Sequence, residues 1–264
     1  MSTASRLEKH RIKWASHGFK NLLVWLFGYL LLGPFLGSAP QAHMVMTVLL
    51  TAVLFSAVYA TNWQSRLFAP SLAWLAVTLV LFWLNALKVL NWPAAVSSGL
   101  LAVYLGILVY SFAGHLFAAR RVDGNVIAAA LCLYLMLGMM WGSIFGILES
   151  LRPGSFGGTL LAEAGSPERV LDRLMYFSFV TLSTLGYGDI TPQSPQAAAL
   201  CQAEAILGQF FALVLVARLV GIQVAQEGAK EDRPADSPPV QPPVARDSSQ
   251  ALQSLATHPH DGRR

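Results

Sequence analysis

Charge is scarce in this chain: Asp, Glu, Lys and Arg make up 12% of 264 residues, about half of what a soluble domain carries. With hydrophobic residues at 55%, that scarcity excludes an ordinary water-soluble globule and points to lipid as the solvent for most of the chain. Cysteine is nearly absent. Cys132 and Cys201 both sit inside apolar runs and no CxxC occurs, so neither a disulfide framework nor a thiolate metal site is expected. The net charge of +4 is small; with no run that alternates bases and aromatics, no nucleic-acid partner is expected. Also missing are a nucleophile–base arrangement, a phosphate-binding loop and paired carboxylates facing one site. Metal-ligand spacing is absent around His43 and His115. The chain therefore reads as no enzyme and as having no cofactor.

What is present is length in apolar runs. Crossing a bilayer as a helix takes roughly 20 mostly apolar residues, and six runs meet that need, at about 19–36, 42–60, 67–87, 93–118, 126–148 and 197–224. A seventh, 170–183, is too short to cross and reads as re-entrant. The first run is not read as a cleaved signal, because its apolar part and its polar lead are both long. Arg6, Lys9, Arg11, Lys13 and Lys20 precede it against the single acid Glu8, which places the N-terminus inside. Alternation then puts Arg66, Arg120, Arg121, Arg218, Lys230 and Arg233 inside and the 149–172 connection outside. Lys88 is the exception and snorkels. The expected localisation is the plasma membrane, multi-pass, with both termini cytoplasmic. The seven tryptophans read mostly as interfacial anchors. The Pro-, Ser- and Gln-rich stretch 228–264 reads as a disordered cytoplasmic tail, too short for a ligand-sensing domain.

Between the re-entrant run and the last long one lies Thr184-Leu185-Gly186-Tyr187-Gly188-Asp189. Gly186 and Gly188 supply backbone angles closed to most L-residues. Preceded by Tyr176-Phe177-Ser178-Phe179-Val180-Thr181-Leu182-Ser183, this segment resembles the pore loop of potassium channels. With its flanking helices the resemblance covers roughly 126–226. It implies a K+-selective filter, since K+ gives up its water only where oxygens replace the hydration shell. By that resemblance the backbone carbonyls of Thr184, Leu185, Gly186 and Tyr187 bind K+, with Gly188 completing the filter and the Thr184 hydroxyl lining the inner site. The extended filter would be about 15 Å long. Leu185 would pack behind it and Tyr187 would brace it. Thr181, Ser183 and Asp189 would support it, with Ser178 also on the pore helix. One chain supplies one loop, so a homotetramer in the lipid bilayer is implied. Ser166-Pro167-Glu168 reads as the entry of the pore helix. Its C-terminal end favours a cation, and Asp172 near its start suits the opposite pole. The sequence departs from the family in three places. Leu185 stands where Val or Ile is usual. Val180 stands where some relatives carry a Glu bonded to the filter Asp, so that Asp189 loses that partner. Tyr176-Phe177 replaces two tryptophans.

In the last run, Gly208 lies 20 residues after Gly188, the spacing at which such channels often place a hinge glycine; close packing against a neighbouring helix is the other reading. Gln209, Ala212 (or Leu213), Val216 and Val220 share a helical face and are expected to line the cavity, with 216–220 near the inner constriction. Glu204 is an intramembrane carboxylate expected to bond to the pore helix or to sense protons, and Arg218 is expected to snorkel. The fourth run has no Arg or Lys at every third position, so voltage sensing of that type is not expected. The expected fold is an all-α membrane protein of six transmembrane helices with a re-entrant pore helix and a selectivity-filter loop. Its parts are a basic cytoplasmic N-terminus (1–20), a four-helix region (21–120), a pore domain (121–227) and the tail (228–264). The leading function is a K+ channel subunit; the alternatives are a weakly selective cation channel and a non-conducting regulatory membrane subunit.

Overall fold

The computed structural model describes residues 18–32, 35, 42–60, 68–87, 89, 93–119 and 123–231. The basic N-terminal residues Arg6 to Lys13, the positions Arg66, Lys88, Arg120 and Arg121, and the tail beyond 231 lie outside them, as do the side chains of His43 and His115.

Among the described residues, eight helices and one minimal strand pair follow in order. They are α1 (Gly18–Leu32), α2 (Ala42–Ala60), α3 (Phe68–Ala86), α4 (Ala94–Ala118), α5 (Gly124–Leu151), β1 (Phe156–Gly157), α6 (Thr159–Ala162), α7 (Pro167–Leu182), β2 (Thr191–Pro192) and α8 (Pro195–Glu231). Three helices among the described residues are long and apolar enough to cross a membrane: Ala94–Ala118, Gly124–Leu151 and Pro195–Ala225. The other three expected spans coincide with the shorter apolar helices Gly18–Leu32, Met44–Val58 and Ala69–Asn85. The re-entrant run is a separate helix, α7, of 16 residues, which begins at the Ser166-Pro167-Glu168 entry, ahead of the first residue of the apolar run. The fold is not purely helical. β1 pairs antiparallel with β2, Phe156 opposite Pro192 and Gly157 opposite Thr191. α8 continues through Glu231, past the boundary read at 227–228.

These helices are apolar around most of their circumference, as lipid-embedded or fully buried helices are. α1 to α5 share one core, centred on Leu22, Leu54, Tyr104, Leu108, Phe112 and Met136. Two polar groups in it bond internally: the Tyr104 hydroxyl donates to the Leu54 carbonyl at 2.9 Å, and the Cys132 thiol to the Phe19 carbonyl at 3.4 Å. Asp123 starts α5 as its N-cap, accepting from Asn125 N at 3.1 Å and Val126 N at 2.9 Å, the usual role of a short acidic side chain there. A second core, around Phe145, Phe156, Leu174, Phe177 and Ile190, joins α5, β1, α7 and the start of α8. The chain divides into two units, Met1–Val224 and Ala225–Arg264; both cores lie in the first.

Candidate functional site

The helix α7 is aimed by its start and by its seat. Ser166 caps it, its Oγ accepting from Arg169 N at 3.4 Å, and Pro167 occupies the first turn, where a missing N–H is harmless. Its seat is a ridge of glycines on α5. A Cβ at Gly142 would lie 2.7 Å from Met175 Cα, one at Gly146 would lie 2.7 Å from Leu171 Cδ1, and one at Gly138 would strike the Phe179 ring. The partners step by four in opposite directions, so α7 lies antiparallel along α5, and only glycine allows that approach. The sequence reading missed this stripe. The four-residue spacing of Gly138, Gly142 and Gly146 was the signal for it.

The 184–189 loop leaves α7 through a short run of backbone bonds. Ser183 N donates to Phe179 O at 3.0 Å, Thr184 N to Thr181 O at 3.0 Å, and Leu185 N to Val180 O at 2.9 Å. The Ser183 hydroxyl turns back to its own helix, donating to Phe179 O at 2.6 Å, and so does not reach the loop as expected. The loop backbone then alternates. Thr184, Gly186 and Gly188 have φ of 57°, 60° and 76°, while Leu185 and Tyr187 between them are not in the left-handed region. Thr184 is the one non-glycine residue among those described with a positive φ. A β-branched residue there carries strain on the order of 1–3 kcal/mol. A Cβ at Gly186 or Gly188 would meet open space, so backbone angle rather than crowding requires glycine at both. Leu185 and Tyr187 are 55% and 66% exposed. Within one chain neither has the packed position expected of it.

The far end of the loop is tied down from two sides. Asp189 Oδ2 accepts from the Tyr176 hydroxyl at 2.7 Å, and Oδ1 from Ile190 N at 3.0 Å. The Glu of those relatives is indeed replaced by the buried Val180, and Tyr176, one turn earlier on α7, supplies a different partner for Asp189. Burial, and then the bond to Asp189, push the Tyr176 hydroxyl up to about 12. On the other side, Gly158 (φ 137°) lies so close under the Asp189 carbonyl that no Cβ fits. The β1–β2 pair follows, and Gln193 N donates to Ser155 O at 2.8 Å. The Glu149 carboxylate holds this turn to the end of α5, accepting from Gly154 N at 2.8 Å and Phe156 N at 3.0 Å.

At the Thr184 end of the loop, Thr184, Ala205, Ile206, Gln209, Phe210 and Leu213 line an open recess of about 320 Å³. Gln209, Val216 and Val220 of the expected cavity face are exposed, and Ala212 is half-buried. α8 is unbroken at Gly208. There a Cβ would lie 2.7 Å from Leu182 Cδ1 and 2.9 Å from Leu182 O, so close approach of α8 to the end of α7 already requires this glycine. Tyr134 of α5 stacks on Phe211 with centroids 6.1 Å apart. Arg218 does more than snorkel. Its Nη2 donates to the Phe117 and Ala119 carbonyls, the second at 3.1 Å, and its guanidinium lies 5.3 Å from the Phe117 ring centroid. A cation thus sits on the carbonyl-rich end of α4. Glu204 is fully buried, in contact with Ser178 of α7. Thr181, the remaining expected support residue, is half-buried beneath the loop. No group of three or more His, Cys, Asp or Glu able to hold a metal occurs among the described residues.

Residues 129–224 match the family model described as ion channel. This span contains most of α5, the strand pair, α7, the 184–189 loop and most of α8. No curated protein and no solved structure matches the chain. The protein is accordingly a multi-pass membrane protein with an ion channel pore domain at 129–224, and not an enzyme.

Proposed function

We propose that the chain is one subunit of a homotetrameric potassium channel whose filter is the 184–188 backbone. The observation that carries this reading is the alternation of positive φ at Thr184, Gly186 and Gly188. Reversing the hand at every second residue keeps successive carbonyls on one side of the strand, which is what a column of oxygens replacing a hydration shell needs. Four such strands around an axis would close the shell. The C-terminal end of α7 points its partial negative charge toward the same place.

The exposed apolar side of α8, including Phe210, Leu213, Val216 and Val220, supports assembly of several copies around the recess below Thr184. In that assembly Leu185 and Tyr187 would pack against neighbouring copies. Gln209, Ala212, Val216 and Val220 would line the water-filled cavity, and Gly208 would be the point about which the inner helix yields. The four helices before the pore domain would complete six crossings in the plasma membrane, with both termini cytoplasmic and without a voltage-sensing helix. The proposed division is 1–20, 21–120, 121–227 and 228–264.

A second reading, a weakly selective cation channel, draws on Leu185, which is less stiff at χ1 than a β-branched residue in that place. The test is K+ flux from liposomes reconstituted with the purified chain, native against Gly186→Ala, followed by reversal potentials in mixed K+ and Na+. Flux that survives Gly186→Ala refutes the filter. Flux with equal Na+ permeability selects the second reading.

A further inference from the structure

Ser178 sits where three helices meet. Its Oγ lies 2.7 Å from the Gly138 carbonyl oxygen of α5 and within hydrogen-bond distance of Glu204 Oε1 on α8. A serine hydroxyl carries one hydrogen and can donate it once. If it donates to Glu204, Ser178 Oγ and Gly138 O face each other at 2.7 Å with no hydrogen between them. If it donates to Gly138 O, the contact with Glu204 is a bond only when the carboxyl brings a hydrogen of its own. One arrangement satisfies both contacts: Glu204 O–H donates to Ser178 Oγ, and Ser178 O–H donates to Gly138 O.

The surroundings agree. Glu204 is 0% exposed within a single chain, so a neighbouring copy cannot reach it with a cation. Its Oε2 has no hydrogen-bond partner among the described residues. A bare oxygen of this kind is tolerable on a neutral acid and far more costly on a buried anion. Among the described residues, the titratable groups in electrostatic reach are the Tyr134 hydroxyl on α5 and the Cys201 thiol on α8; α7 contributes the Ser178 hydroxyl. None of these is a cation.

We infer that Glu204 is a positioning residue for the pore helix, acting as an un-ionised hydrogen-bond donor that fastens α8 to α5 through Ser178. The inference rests on the proposed conduction through the 184–188 loop. The relay lies six residues before Thr184, so it sets the depth and rotation of α7 beneath the filter.

The experiment uses the purified full-length chain. Infrared spectra at neutral pH are expected to show a carbonyl band of an un-ionised carboxyl that Glu204→Gln removes. In liposomes Glu204→Gln, whose amide can still donate to Ser178, should keep K+ flux within about twofold of native. Glu204→Ala and Ser178→Ala should each lower it about tenfold, the scale of a lost buried hydrogen bond. Absence of the band, or a Glu204→Gln flux as low as that of Glu204→Ala, overturns the inference. A native chain that carries no flux would instead overturn the proposed function, and the infrared band would still decide the state of Glu204.

Discussion

The Tyr176 hydroxyl donates to Asp189 Oδ2 at 2.7 Å, bridging the third turn of α7 to the residue that closes the glycine loop. A bond to a carboxylate is worth about 1.5–3 kcal/mol. In the proposed channel, Tyr176→Phe and Asp189→Asn should therefore each loosen the Asp189 end of the loop, seen as faster decay of K+ current and a reversal potential shifted toward that of Na+. Since both remove one interaction, the double variant should be no worse than either single one. Additive losses would show that the two side chains act separately.

The pH dependence of that bond follows from the tyrosine. Its value is raised from 10.0 to about 12, so the protonated donor is favoured in the folded state. The stabilisation is fully present below the unfolded value of 10.0 and is lost as pH rises through about 12. Currents of the native chain between pH 7 and 10 should show no transition that Tyr176→Phe abolishes. A transition within that window that disappears in Tyr176→Phe would contradict the assigned bond.

Glycines in two places should fail differently. At Gly186 the surrounding space is open, and alanine meets only the cost of a left-handed backbone, roughly 1–2 kcal/mol. Gly186→Ala should fold, with a small drop in melting temperature in detergent, and in the proposed channel lose K+ flux entirely. Gly142→Ala drives a methyl into the Met175 backbone, and overpacking of this kind costs about 1–3 kcal/mol. Its melting temperature should fall measurably below that of the native chain.

Arg218 joins α8 to the C-terminal end of α4 through two carbonyls. Arg218→Ala should lower thermal stability by about 1 kcal/mol, the scale of a cation at a helix C-terminus. Arg218→Lys should recover only part of it, because an ammonium lacks the planar fork that spans both acceptors. Equal melting curves for all three proteins would remove Arg218 from the account.

The apolar runs and the glycine loop were legible because both depend on local composition. Six apolar helices stand where six runs were read, and Ser166 caps α7 as its Ser-Pro-Glu pattern implies. The supports of the loop were less legible, because they join residues distant in sequence. Nothing near Asp189 points to Tyr176, and nothing near Gly208 points to Leu182. Arg218 reads alone as a snorkelling cation until the end of α4 is placed beside it. The β1–β2 pair is too short to leave a period-two pattern. Ser183, polar and adjacent to the loop, was a natural candidate for supporting it, but a serine at the end of a helix finds the carbonyl four residues back closer at hand.

The loop hangs between two fixed posts. One is the end of α7, seated on the α5 glycines; the other is β2, paired with β1 and held through Ser155 and Glu149. Neither post can slide along the chain, so the number of residues between Ser183 and Ile190 is set by geometry. An insertion or deletion between them would therefore have to displace one post or the other, and with it either the α5 glycine seat or the β1–β2 pairing.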